Sequence, residues 1–288
     1  MLRLILVVVF MFSFNVLARE IKYPNLHGIG ESTIGFAVLQ LVLDKSGSGY
    51  KPVITEIGAN ARRTRAMLEK GQIDVMDGGF SPDLIKSVEP IYLPFDLGLL
   101  GWRVFITRKD TAERLHAVRN IEDLKAFSFG QGVGWNDTII LANAGLTVVT
   151  APKIDNLINM VKLKRFDLFP LGANEAYEFL KLYGGGDGQL IVDDALTLVY
   201  PFGRFFYVRK GDQELKQVIE TGMERALADG SLLALLKSHP FFQDAFEQAN
   251  LSQRIQIRID TPNLNEAFRS IDPKWWYSPD VKPASEFR

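Results

Sequence analysis

The chain has 288 residues and an almost balanced charge, 33 Lys+Arg against 34 Asp+Glu, for a formal net charge of -1. That balance offers no basic field to nucleic acid or to an anionic membrane surface, so no nucleic-acid partner is expected. The absence of cysteine excludes disulfides, CxxC redox chemistry and thiolate metal sites.

Arg3, the apolar run 4–12 and Val16-Leu17-Ala18 give a charged head, a short apolar middle and a small-residue cleavage site. The pattern predicts a signal peptide over 1–18, cut after Ala18, on an exported protein. What remains is longer than one usual core, so two lobes are expected.

Residues 20–23 read as a strand and 24–30 as a loop of turn formers; Glu31-Ser32-Thr33 then open a helix over 34–43 that stops at Gly47-Ser48-Gly49. A strand at 53–57, a helix at 63–69 closed by Gly71 and a strand at 73–76 ended by Gly78-Gly79 complete a β-α-β-α-β series. That series implies a parallel, doubly wound sheet. The basic knot Arg62-Arg63-Thr64-Arg65 reads as a solvated helix face. Residues 90–94, bracketed by prolines, and a strand at 101–107 lead out of the first lobe, and 120–124 form a helical turn.

The stretch 127–138 then places an alternating run before Gly130, Gly132 and Gly134, a polar cluster Trp135-Asn136-Asp137-Thr138 and an apolar helix start. Glycines admit a ligand close to the main chain, and the N–H groups of a first helical turn point at it. Such turns also arise merely because an α/β chain reverses sharply. A dinucleotide fingerprint is disfavoured because Trp135 stands at its third glycine, although Asp155 lies about twenty residues on. No P-loop lysine is present.

A second series follows: helix 138–144, strand 147–150, helix 156–162, strand 166–170 and helix 174–183, stopped by Gly184-Gly185-Gly186. Strands at 196–200 and 204–208 flank Pro201-Phe202-Gly203, a second crossing between lobes. Helices at 214–229, 232–237 and 243–250 precede a tail in which Trp275-Trp276-Tyr277 is expected to lie across a lobe surface.

Several segments, in order, resemble the type II periplasmic solute-binding proteins, specifically extracellular solute-binding protein family 3. They are Arg65 to Val75 with its Gly71-Gln72-Ile73-Asp74-Val75, the hinge-like Val104 to Lys109, Ile121-Glu122-Asp123-Leu124-Lys125, Phe206 to Lys210, and Gly222 to Leu232. The resemblance implies an α/β protein of two doubly wound lobes joined by two hinge strands. Residues 19–105 and 203–288 would form the first lobe and 106–202 the second. It implies a periplasmic, monomeric receptor that closes on a small polar solute and delivers it to an ABC-type permease, without cofactor, metal or catalysis. Family members that hold α-amino acids use an arginine where this chain has Leu84 and an aspartate where it has Gly172, so an ordinary amino acid is not the expected ligand.

The expected ligand-binding residues are Trp135, Asn136, Asp137 and Thr138 at the second lobe's helix start, and Asn174 and Glu175 after the next strand. Tyr23, Phe80 and Ser81 are expected from the first lobe, because ligands gather beyond the carboxyl ends of such strands. Plainer readings stand beside these: Asp137 as a helix cap, Trp135 as an inter-lobe packing residue, Glu175 as a first-turn acid. His27, His116 and His239 lack metal-ligand spacing, and no G-x-S-x-G elbow occurs. Two alternatives remain: a dehydratase-like enzyme on the same scaffold, with Glu175 as its buried carboxylate, and a solute sensor docking on a membrane signalling protein.

Overall fold

The computed structural model describes residues 19–26 and 28–279; the expected signal peptide and His27 lie outside them. In chain order the elements are β1 (Glu20–Leu26), α1 (Ile34–Ser46), β2 (Lys51–Ala59), α2 (Ala61–Glu69), β3 (Val75–Gly79), β4 (Val88–Pro90) and β5 (Trp102–Arg108). Next come α3 (Lys109–Leu115), α4 (Ile121–Leu124), β6 (Ser128–Gly132), α5 (Asn136–Asn143), β7 (Thr147–Ala151), α6 (Ile154–Lys162), β8 (Leu168–Gly172) and α7 (Ala176–Tyr183). The remainder are β9 (Leu190–Val192), β10 (Leu196–Val199), β11 (Arg204–Arg209), α8 (Gln213–Ala228), α9 (Ser231–Ser238), α10 (Gln243–Glu247), β12 (Ile255–Arg258) and α11 (Glu266–Arg269).

The first half of this order builds one layer. β1 and β2 pair in parallel, and β3 joins their edge through the Asp74 N–H, which donates to the Lys22 carbonyl at 2.9 Å. β11 then pairs antiparallel with both β3 and β4. The parallel sheet expected here is therefore mixed, because β11 returns from the second series and fills the open edge of β3.

Helix α1 covers this layer for reasons visible in its residues. The Thr33 hydroxyl accepts from the Phe36 N–H at 3.3 Å, and Gly47 ends the helix at φ 71°. Between them Val38, Leu39, Val42 and Leu43 are buried. Gly222 lets α8 seat directly on the Val42 backbone, where a Cβ would collide with the Val42 carbonyl.

The second sheet has the order β12-β10-β5-β8-β6-β7, with β9 also paired to β5. β6 runs parallel to β7 and β8, β10 parallel to β12, and β5 antiparallel to β8, β9 and β10. Both faces are covered. In β5 the Phe105 ring joins Phe129, Leu168 and Leu198 in one apolar cluster, while Val104 and Ile106 join Leu157, Phe169 and Leu171 in the other. Alternation along a strand with an apolar cluster on each side is the signature of a doubly wound layer.

The chain passes between the sheets more often than the expected two crossings. After β4 to β5 and β10 to β11, it returns to the second sheet as β12 and leaves again, so that Phe268 packs edge-on against Phe80 and Phe205. The aromatic tail does not lie on a surface: Trp275 is 2% exposed, Trp276 packs on Gly98 and Tyr277 meets the rings of Trp102 and Phe246. Among the described residues no helix is long and apolar enough to cross a membrane.

Candidate functional site

The glycines that frame the turn after β6 serve the chain's own aromatics. A Cβ on Gly130 would run into the Phe166 ring, and one on Gly132 into the Trp135 indole. Trp135 folds back over Gly132 and stacks on Phe169 at 6.4 Å and 24°. Only Gly134, at φ 81°, is required by the turn itself. The Trp135 N–H donates to the Gly132 carbonyl, and the Thr138 hydroxyl lies 3.4 Å from the same oxygen. Trp135 and Thr138 are thus tied to the loop they belong to.

Behind that loop stands a buried polar network organised by Arg103. Its Nη2 lies 2.8 Å from Asp137 Oδ1, its Nε donates to the Tyr200 hydroxyl at 2.8 Å, and its Nη1 is 3.5 Å from Glu175 Oε1. The Tyr200 hydroxyl also donates to Asp137. Phe202 and Tyr200 present their rings to the guanidinium at 5.4 and 5.5 Å. Burial pulls the Arg103 pKa down, but Asp137, Tyr200 and Glu175 outweigh it and hold it above its usual value. Burial also pushes the Tyr200 phenol well up. Asp137 is therefore the counter-ion of Arg103, and one arginine ties together the start of α5, the start of α7 and the connector at Tyr200.

Asn174 stands beside this network with both atoms of its carboxamide buried and unpartnered among the described residues. Glu175 accepts from the Gly172 N–H at 3.1 Å. A Cβ at Gly172 would strike the Asn174 oxygen and would lie 3.4 Å from Glu175 Oε1 and 3.5 Å from Arg103 Nη1. The volume a side chain at 172 needs is already filled by Asn174, Glu175 and Arg103.

The first sheet carries a matching arrangement. Asp77, on β3, accepts from the Tyr23 hydroxyl on one oxygen and from Arg204 Nε and Nη2 on the other, the Nε at 2.8 Å. Tyr23 has no exposed surface. Burial, then Asp77, pushes its phenol well up. Arg204, at the start of β11, feels burial in the opposite sense, but Asp77 keeps its pKa raised. Tyr23 thus sits in the core under β3, with its hydroxyl committed to Asp77.

Phe202, whose ring faces Arg103, also lines a cavity of about 110 Å³. Phe80, Ser81 and Pro82 enter it from beyond β3; Asn136, Ile139 and Ile140 enter it from α5; Pro201 and Phe202 come from the connector. Thr261 to Leu264 and Phe268, from the last passage between sheets, form the remaining wall. Thr261 anchors that wall by donating from its hydroxyl to the Pro201 carbonyl at 2.8 Å, and Asn263 turns at φ 62°. Of the residues expected at the site, Phe80, Ser81 and Asn136 therefore share one cavity. Asp137, Asn174 and Glu175 gather around Arg103 instead. A larger cavity of about 320 Å³ shares Pro201, Leu264 and Phe268 with the first and is lined further by Trp102, Arg258 and Trp276.

Sequence reasoning missed Arg103, Tyr200, Asp77, Arg204 and the wall 261–264. Arg103 carried a signal, a lone cation inside the apolar run 102–106. The wall carried none, since Thr261-Pro262-Asn263 reads as any loop. Of the histidines, His116 is 3.6 Å from exposed Asp194, and His239 Nδ1 accepts from the Phe241 N–H.

No protein-family model matches the chain, and no curated protein does. Solved structures share its fold. The L-cystine solute receptor of Neisseria gonorrhoeae, in its unliganded open conformation, is 18% identical with a TM-score of 0.53, covering 77% of this chain and 93% of that one. The VFT2 domain of BvgS from Bordetella pertussis, a double mutant, is 18% identical at 0.51, with coverages of 77% and 93%. A protein from Bacillus subtilis is 15% identical at 0.51, covering 84% and 96%. The chain accordingly has the α/β fold of the type II periplasmic-binding proteins.

Proposed function

We propose that this protein is an exported solute receptor, a non-enzyme whose two lobes, one built on the layer of β1 to β4 with β11 and the other on the sheet of β5 to β10 with β12, close on a small organic molecule and deliver it to an ABC-type importer. The observation that carries this reading is the shared cavity, to which the turn after β3 in one sheet and α5 on the other each contribute a wall, with the connector between them. A pocket between two α/β units that move about their connectors is the usual geometry of a solute clamp. The fold shared with an L-cystine solute receptor supports it.

The alternative of an enzyme gains nothing from the geometry. Glu175, its candidate carboxylate, is 32% exposed at the side chain and lies beside Arg103. Asp137 is likewise paired, so neither of these two carboxylates stands ready as an unpaired acid or base.

The test is mass spectrometry of the small molecules released when the purified protein is denatured, followed by calorimetric titration with whatever is found. One molecule per chain, bound without turnover and with contraction of the particle in X-ray scattering, is the expected result. Conversion of the compound, or no releasable molecule and no contraction, sinks the proposal. Uptake by vesicles holding a co-encoded permease separates transport from signalling.

A further inference from the structure

The walls of the cavity carry a chemical statement about its occupant. No Asp, Glu, Lys or Arg is among the described residues that line it. Its surface is Phe80, Pro82, Ile139, Ile140, Phe202 and Phe268 with three proline or leucine neighbours, plus four neutral polar residues. Two buried arginines on the flanking elements are paired, Arg103 with Asp137 and Glu175 and Arg204 with Asp77, while Arg258 and Arg269 line the neighbouring cavity.

Among the four polar residues, Thr261 spends its hydroxyl on Pro201. The side chains of Ser81, Asn136 and Asn263 make no hydrogen bond to any described residue. They come from three different segments, so a molecule seated among them meets a neutral donor or acceptor from each side and apolar surface elsewhere. An ionised carboxylate or ammonium placed there would meet no opposite charge from the lining. An uncharged ring loses little and gains contact with aromatic edges. At about 110 Å³ the cavity is smaller than the closed apolar cavity of about 150 Å³ that accommodates benzene, which limits the occupant to about one ring.

We infer that the solute is an uncharged, mainly apolar molecule of about one ring with a single hydroxyl or carboxamide handle, not an amino acid zwitterion. This rests on the receptor reading above and narrows it to a substrate class. Asn136 and Asn263 read the handle, and Phe80 and Phe202 hold the ring.

Benzamide, benzyl alcohol and L-phenylalanine, which share a ring and differ in charge, make the comparison by isothermal titration of the full chain. The two neutral probes should bind at least about tenfold more tightly than L-phenylalanine, a difference of about 1.4 kcal/mol, and their affinity should not change with salt. Phe80→Ala should weaken them about tenfold. Because Phe80 is buried and its loss risks the fold, Ile139→Asp is the second variant. Ile139 is 57% exposed, so the chain tolerates the change while a carboxylate now stands at the rim of the cavity. A neutral occupant should then bind more weakly, whereas a cationic one would bind better. L-phenylalanine binding as tightly as benzamide, or a gain of amine binding in wild type over the neutral probes, overturns the class. If neither neutral probe binds, the class is overturned too, and the receptor reading then stands or falls separately on the molecule released by denaturation.

Discussion

Replacing Arg103 with leucine tests whether the buried network works as described. The guanidinium is 6% exposed and holds Asp137 at 2.8 Å, itself 10% exposed at the side chain. Removing it strands Asp137 as an uncompensated buried charge and takes a partner from the Tyr200 hydroxyl. Breaking one half of a buried pair costs about 3–5 kcal/mol, against a total stability of about 5–15 kcal/mol. In a protein of this size that is a fall in Tm on the order of 10 °C. The double variant Arg103→Leu with Asp137→Leu removes the stranded charge and should recover about half of the loss, the rest being the unsatisfied Tyr200 hydroxyl. Urea unfolding followed by circular dichroism measures both, with equal m values confirming a common unfolded state. The reasoning is refuted if the single variant loses less than about 1 kcal/mol, or if the double variant is no more stable than the single.

Three further outcomes follow from other parts of the molecule. Asp96 is fully buried, accepts from the N–H groups of Gly98, Leu100 and Arg204, and has its carboxyl pushed up to about 6 by burial. Its folded pKa lies above its unfolded one, so the stability it confers is complete below about pH 4 and is lost as pH rises through 6, on the order of 3 kcal/mol. Asp96→Asn should flatten that part of the stability curve, and an unchanged slope in urea unfolding between those pH values would contradict the assignment. Gly222→Ala should cost about 1–3 kcal/mol by forcing α8 off the Val42 backbone; calorimetry finding wild-type Tm would show the helices free to shift. Gly172→Asp should lower Tm because of the collision with Asn174, and thermal shift should show no stabilisation by L-alanine.

The parts of the fold that repeat a simple period were readable: α1 by its caps and apolar face, β6 to α7 by strand and helix alternation. Strands whose partners lie far along the chain were not. β12 is four residues long, and its pairing with β10 depends on where α8, α9 and α10 deliver it. β8 begins at Leu168, two residues beyond the expected start, because Phe166 turns out to fill the space over Gly130. Phe80 and Ser81, expected from the rule that ligands gather at strand ends, and Asn136, expected at a helix start, line one cavity together. The pairing of Asp137 with Arg103 was not legible, since it joins residues 34 positions apart on different elements. Tyr23 shows the limit of the same rule: β1 runs on to Leu26, so Tyr23 lies within the strand instead of ending it, and burial against Phe36 and the bond to Asp77 take its hydroxyl.

The late arrival of β12 bears on how the molecule assembles. The edge of β10 stays open until residues 255–258 are in place, and by then the polypeptide has gone back to complete the other layer with β11 and α8. An unpaired edge is a template for wrong partners. Neither layer is complete until a strand from far along the chain has joined it, β11 for the first and β12 for the second.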